Sequence, residues 1–441
     1  MLRKNRNIVL AGTVIATAIL LAAYGHTREK KDYNVILITI DTLRADHVGA
    51  YGYVRDTTPF LDELASKSIL YENAYSQAPW TRPSMASMLT SLYPRHSGVI
   101  DESGKSFLDK RLVTLQEVFN ENNYKTAGFV SNANLRSDFG FNQGFDQYRD
   151  NLPWRPGSVM LGNALAWIMA HGKSDRFFAW IHLNEPHGPY MPPDVRYSFM
   201  FSGDKPELIK PWNTSRKKVM KPPRYDKEIG RNLTGEDVQR MIDLYDGEIR
   251  YVDDQLRIFY NGLAEAGLDE NTIIVVTADH GEEFLDHGGL YHGHSMYNEL
   301  IRIPLIIHVP GLEGRRADEE VELIGLFPTL LELTGLGVEH RIEGVSYLSP
   351  VMHPVYGETD FRSTHQSMML EEGIKVIHDW DSNTSISYDI VSDRKEENPV
   401  EVDYEHLSRM GAYREYVFSP EGAEEIRPET LEHLREIGYI I

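Results

Sequence analysis

Two near-continuous β-branched runs, each closed by an acid, constrain this chain most: NVILITID at Asn34–Asp41 and TIIVVTADHG at Thr272–Gly281. A run without polar alternation has no solvent face, so it reads as a strand buried on both sides in a parallel sheet. KTAGFVSN (Lys125–Asn132) and RFFAWIHLNEPH (Arg176–His187) are further candidate strands. Helical patterns alternate with them, TLQEVFNENN after Val113 and a longer one from Val238. This alternation predicts an α/β fold, a central mostly parallel sheet sandwiched by helices.

The 441 residues have room for one large domain and a smaller one. We expect a catalytic domain over 33–350 and a small C-terminal α+β subdomain over 351–441, where short strands and turns replace the long pattern. The Pro-rich, locally basic stretch 190–233 is too irregular for a core element and reads as a lid or substrate-facing insertion. Residues 1–32 read as a signal peptide or signal anchor plus linker. Arg3, Lys4 and Arg6 precede an apolar run, Ile8–Tyr24, long enough for most of a bilayer core. Either reading exports residues 33–441 to the periplasmic or extracellular side, and the anchor reading ties them to a membrane through residues 8–24.

The formal charge of -21 argues against a nucleic-acid partner, whose affinity rests on Lys and Arg. An anionic substrate would need local positive charge. With no cysteine anywhere, disulfides, thiolate metal sites and cysteine nucleophiles are all excluded.

In open α/β sheets ligands bind beyond the carboxyl ends of the strands, so polar residues directly after a strand are the first candidates for chemistry. Asp41, Asn132, His187, Asp279 and His280 stand there. Thr81, two residues before Pro83 in APWTRPSMASML, sits at a helix N-terminus, where unpaired N–H groups favour an anion. Asp41, Asp279 and His280 aim two carboxylates and an imidazole at one edge of the sheet. Mixed O and N ligands suit zinc or manganese better than calcium, and a metal-bound Thr81 hydroxyl would become a usable nucleophile. Asn132 is placed to donate a hydrogen bond to a non-bridging oxygen of a bound ester.

NVILITIDTLRADHVGAYGY, WTRPSMASMLTSLYPRHSGV and TADHGEEFLDHGGLYHGHSMYNELIRIPLII together resemble the sulfatase family of the alkaline phosphatase superfamily, in order and spacing. NEPHGPY, FPTLLELTGL and the closing LEHLREIGYI are similar to further blocks of it, so the resemblance runs from about residue 33 to the end. Sulfatases proper use a cysteine oxidised to formylglycine in Cys-x-Pro-Ser-Arg, where this chain has Thr81-Arg82-Pro83-Ser84-Met85. No formylglycine can form here. The family's paired acids after the first strand are Asp41 and Thr42, and its Asp-Asn pair is Asp279-His280. These departures resemble the threonine-nucleophile branch of phosphodiesterases and phosphonate monoester hydrolases.

The resemblance implies a metal-dependent hydrolase of phosphate or phosphonate esters, with sulfate esters still open, acting through a covalent Thr81 intermediate. It implies metal ligands Asp41, Thr81, Asp279 and His280, and places His187 on the anionic group of the substrate. Of His292 and His294 in HGH, one stands where a basic residue protonates the leaving oxygen or binds a second metal. His292 is the first choice, and His294 is left as substrate-binding. Glu185 is a candidate ligand for a second metal, while His287, His47 and Arg44 read as structural. The rival readings are a membrane-associated transferase that passes the group to a lipid or glycan, and an inactive binding protein that keeps the fold.

Overall fold

All seven residues of β1 (Asn34–Ile40) are buried, as a strand without a polar face requires. A computed structural model describes residues 32–103, 105–150, 155–202, 233–337, 339–349, 351, 353–421 and 426–436. The apolar run 8–24 and most of 190–233 lie outside them. Among the described residues no helix is long and apolar enough to cross a membrane.

The main sheet also contains β2 (Ile69–Tyr75), β3 (Lys125–Val130), β4 (Gln147–Arg149), β5 (Phe177–Leu183), β6 (Thr272–Ala278), β9 (Arg302–His308) and β10 (Arg315–Glu322). Their order is β10-β2-β9-β6-β1-β5-β3-β4. Strand β9 alone runs against the rest, antiparallel to both β2 and β6, so the sheet is mostly parallel as the sequence predicts. The strands β2, β4, β9 and β10 are additions to that prediction. Pro304 in the middle of β9 removes a ladder donor, which normally keeps proline out of a central strand. The register of β2 slips between Tyr71 and Ala74, opposite Pro304, so a bulge lies where the ladder bond is missing.

The longer helices are α1 (Pro59–Ser66), α2 (Thr81–Thr90), α3 (Leu115–Glu121), α4 (Gly157–His171), α5 (Gly235–Glu265), α6 (Leu326–Thr334) and α7 (Tyr404–Arg414). Helices α3 and α4 pack on β3 and β5, and α5 packs on α4 and α1. Capping boxes start α3 at Thr114/Glu117 and α5 at Thr234/Asp237, each satisfying two otherwise unpaired amides. The ten residues of α2 are all buried, so this helix lies inside the fold and shows no amphipathic pattern. Every fully buried Val, Ile, Leu or Phe side chain of the sheet contributes roughly 1.5–3 kcal/mol, and Ile36, Leu37, Ile181 and Val275 are all completely buried. A charge at any of them would break the layer.

A second sheet is an antiparallel meander, β11 (Val355–Phe361), β12 (Thr364–Glu371), β13 (Ile374–Asp379) and β14 (Thr384–Asp389). It packs through Val355, Met368, Leu370 and Ile377 on Met296, Leu300 and Ile301 of the main body. Lys375 reaches from β13 into that interface and pairs with Glu396 at 2.7 Å, both side chains fully buried, while donating to Asn298 at 2.9 Å. A two-stranded ribbon, β7 (Glu283–Phe284) with β8 (Leu290–Tyr291), follows β6.

Candidate active site

Parallel pairing of β1 with both β5 and β6 brings Ile40 level with Leu183 and Ala278. The residues that follow, Asp41, Asn184 and Asp279, therefore leave the sheet side by side at its carboxyl edge. Asp41 N donates to Leu183 O at 2.9 Å, which holds the turn after β1 against β5. Thr42 then adopts φ 56°. For a β-branched residue this left-handed conformation costs on the order of 1–3 kcal/mol. It aims Thr42 N–H at Asp279 Oδ1, 3.0 Å away, and the turn is secured by Tyr245, whose hydroxyl donates to Thr42 O at 2.6 Å.

Helix α2 is pinned to the end of β6 by Ser84, whose Oγ donates to Asp279 O at 2.6 Å and accepts from Ser76 at 2.9 Å. Trp80 is the N-cap, so Thr81 is the first helical residue. Its Oγ1 lies 3.3 Å from His280 Nε2. The other ring nitrogen, His280 Nδ1, donates to Gly281 O at 2.8 Å, which turns Nε2 toward Thr81. That nitrogen is also 3.4 Å from Asp279 Oδ2 and 3.7 Å from Asp41 Oδ1. Both oxygens are buried with no hydrogen-bond donor among the described residues.

Buried, unsatisfied carboxylate oxygens are costly unless a proton or a cation meets them. Ligands on one tetrahedral ion at the usual 2.0–2.2 Å stand about 3.3–3.6 Å apart, which matches the spacings around His280 Nε2. The donor set therefore fits a divalent cation. Ligand atoms of Asp41, His182 and Asp279 also lie within 4.8 Å of one another. However, His182 Nδ1 is bonded to Thr39 Oγ1 at 2.8 Å. Its Nε2 faces Asp41 Oδ2 at 3.3 Å, the oxygen to which Asn132 Nδ2 donates at 2.5 Å. His182 and Asn132 thus sit behind Asp41, on the oxygen turned away from His280.

Electrostatics follow from that crowding. Burial, reinforced by the charge of Asp279, pushes Asp41 up to about 8. Burial acts on Asp279 in the same direction, but His280 and the amides of Thr42 and His280 outweigh it and hold Asp279 below the ordinary range. Without a cation the pair thus keeps one proton, on Asp41. Burial lowers His182 to about 4, lowers His187, and takes His292 well below the usual histidine range with help from His280. All three rings are neutral at pH 7.

His187 and His292 stand together, ring centroids 4.9 Å apart, and His292 is 4.5 Å from His280. Glu282 orients His292, its Oε1 lying 2.8 Å from Nδ1. His294 is turned to Glu283 at 2.7 Å, and that carboxylate also accepts the amides of His287 and Gly289. The fold therefore groups Asp41, Thr81, Asn132, His187, Asp279, His280 and His292, with His294 turned away to Glu283 of the neighbouring ribbon. Glu185 accepts from Gly157 N at 3.2 Å, where it caps α4, and burial raises it to about 7. His47 is bound to Asp246 at 2.7 Å, His287 to Glu299 at 2.7 Å, and Arg44 to Asp46 and Asp286 at 2.9 Å, all within the scaffold. Sequence reasoning passed over His182 and Glu282. The visible signal for His182 was a histidine inside an otherwise apolar strand, paired in register with Thr39 two residues before Asp41.

The family model for sulfatases matches residues 33–336, more than half of the chain. The chain belongs to the sulfatase family. Among its relatives is a Delta 4,5-hexuronate-2-O-sulfatase of Bacteroides thetaiotaomicron, 24% identical over 90% of this chain and 89% of that protein. An arylsulfatase of Clostridium perfringens is 24% identical over 71% and 77% of the two chains. The phosphonate monoester hydrolase of Agrobacterium radiobacter has the same fold, with a TM-score of 0.68 over 87% of this chain and 94% of that one, at 20% identity. This sulfatase-family member is an ester hydrolase, and the family it belongs to is metal-dependent.

Proposed function

We infer that the exported portion hydrolyses phosphate or phosphonate esters, with Thr81 as nucleophile and Asp41, Asp279, His280 and Thr81 holding one divalent cation, zinc or manganese. The observation that carries this reading is the meeting of three groups on His280 Nε2: the Thr81 hydroxyl at 3.3 Å and two orphaned carboxylate oxygens. When bound there, the cation would acidify the Thr81 hydroxyl and offset charge on the substrate's non-bridging oxygens.

Thr81 Oγ1 forms a bond to phosphorus in line with the leaving oxygen, whose own bond to phosphorus breaks. Glu282 holds His292 by its Nδ1, and His292 serves the leaving-group side, relaying a proton from solvent to the departing alcohol, while the proton of Thr81 passes to solvent as its bond to phosphorus forms. His187 orients the equatorial oxygens, while Asn132, expected on the substrate, instead holds Asp41 from behind. Water then attacks the phosphothreonine from the side the alcohol left, His292 takes its proton and returns it to solvent, and Thr81 leaves with a proton from solvent as the hydroxyl. The absence of cysteine and the threonine at position 81 favour phosphorus over sulfur. The uronate in the name of the Bacteroides relative and the basic, Pro-rich insertion both suit an anionic, extended substrate, and the apolar run at 8–24 suits export with retention at a membrane.

The test is turnover by residues 33–441 of matched nitrophenyl esters (phosphodiester, phosphate monoester, phosphonate monoester and sulfate), with and without zinc or manganese, alongside Thr81→Ala. Metal-dependent cleavage of phosphorus esters, lost by at least a thousandfold in Thr81→Ala, is the expected outcome, on the order of a nucleophile deletion. Preference for the sulfate would overturn the phosphorus assignment, and full activity of Thr81→Ala would overturn the nucleophile.

A further inference from the structure

The hairpin that joins β11 to β12 reaches out of the second sheet to the mouth of the site. Phe361 pairs with Thr364, so Arg362 and Ser363 form its tip, and Arg362 is exposed with φ 55°. A left-handed arginine persists only where its surroundings hold it. Arg362 N donates to Glu102 Oε2 at 3.2 Å, and Thr359 Oγ1 donates to Gly293 O at 2.7 Å. Arg95 clamps the strand below, its Nε donating to Glu358 at 2.7 Å and its far nitrogen to Asp360.

Phe361 fills the space between the two halves of the site. Its ring lies 5.0 Å from that of Trp80, the residue before Thr81. On the other side it meets Gly293, between His292 and His294, where a Cβ would come within 2.5 Å of the ring. Only glycine admits that approach. The Arg362 guanidinium lies over the same ring, 4.7 Å from its centroid. A cation is thus carried on a clamped hairpin to the side of the site where His292 meets the leaving oxygen.

The geometry points to Arg362 as a specificity residue that binds a second negative charge on the substrate, carried by the alcohol portion. This rests on the leaving-group role given to His292 above. The planar fork of a guanidinium fits a two-oxygen acid such as a carboxylate, so the preferred substrates are esters of alcohols that bear an acidic group near the scissile oxygen. Packing of Arg362 on Phe361 alone would need no such substrate, and the two roles separate by experiment.

Wild type, Arg362→Met and Arg362→Lys are compared, each as residues 33–441, on the methylphosphonate monoesters of 4-nitrophenol and of 5-hydroxy-2-nitrobenzoic acid, which differ by one carboxylate on the leaving group. Comparing the same pair across variants cancels intrinsic reactivity. The expected result is that Arg362→Met lowers the ratio of kcat/KM for the carboxylated over the plain ester by about tenfold, mainly through KM, the scale of a partly exposed charge-assisted hydrogen bond. Arg362→Lys should restore part of it. Equilibrium binding of 5-hydroxy-2-nitrobenzoate itself, which needs no turnover, should weaken by a similar factor in Arg362→Met. An unchanged ratio with unchanged binding overturns the proposal even if both esters are cleaved. Weakened binding without cleavage of either ester supports Arg362 while sinking the hydrolase chemistry.

Discussion

Binding of a divalent cation at the proposed site should release close to one proton at pH 7. In the cation-free protein the Asp41 carboxyl is raised to about 8 by burial and by Asp279, whereas in an unfolded chain it titrates near the ordinary value of about 3.9. Between those values the folded state keeps a proton that the unfolded state has lost. Stability therefore falls as pH rises through that window, by about 1.4 kcal/mol per unit, and the cost at pH 7 is on the order of 4 kcal/mol. A cation replaces the proton and removes the cost. Its apparent affinity should rise about tenfold per pH unit up to about 8 and then level off. Calorimetric titration of manganese into chelator-treated protein, in two buffers of different ionisation enthalpy, measures the release directly: roughly 0.9 proton at pH 7 and about 0.1 at pH 9. Asp41→Asn should release none and bind the ion at least tenfold more weakly. Without metal, that variant should nevertheless melt several degrees above metal-free wild type. Release near zero in the wild type at pH 7, or a metal-free Asp41→Asn that melts below it, would refute the reasoning.

Glu282→Gln keeps the shape but loosens the charge that orients His292, so kcat should fall roughly ten- to a hundredfold with KM within a few-fold, measured as separate steady-state constants. His287 is raised to about 9, burial opposing and Glu299 outweighing it. The pair's contribution, about 2–3 kcal/mol, is present in full below about pH 6.5 and lost as pH rises through 9. The stability gap between wild type and His287→Asn in urea should therefore close between those values, and a constant gap would show that the stacking of His287 on Tyr297, ring centroids 3.6 Å apart, and not charge, holds the ring. Lys375→Met leaves Glu396 buried without its partner and should cost about 3–5 kcal/mol. Lys375→Met combined with Glu396→Leu should recover most of that by thermal denaturation, and no recovery would mean that Asn298 supplies the stability.

What the sequence made legible follows from which rules apply to single elements. Strands β1 and β6 are recognisable because a parallel strand covered on both faces has no polar side to dilute its pattern. Strand β10, RRADEEVE, is invisible to the same rule because it lies at the sheet edge, where charge is tolerated and protects against pairing with other chains. Strand β9 hides behind Pro304, which only the bulge in β2 excuses. That Asp41, Asp279 and His280 come together is legible because each follows directly on a strand of one parallel sheet. His182 and Glu282 act across strands and around the ribbon, through registers that no local pattern encodes.

Charge decides the remaining ambiguity of the site. The arginine next to Thr81 invites a role on the substrate, yet Arg82 is fully buried. It donates to Ser103 O at 3.1 Å, Ser106 O at 3.3 Å and Asn134 Oδ1 at 2.9 Å, and lies over Phe139 at 3.8 Å. Met85, at the position of the family's signature arginine, is buried too. Ser84 of the same motif serves the fold by tying α2 to β6. Around the proposed nucleophile the chain thus places two acids and the neutral rings of His187 and His292, in a protein whose formal charge is -21. An anionic ester would be repelled from such a place unless positive charge were brought in from outside the motif. A cation on the orphaned oxygens of Asp41 and Asp279 would supply it at the reacting group, and Arg362, arriving on a hairpin from the second sheet, would supply it at the leaving group.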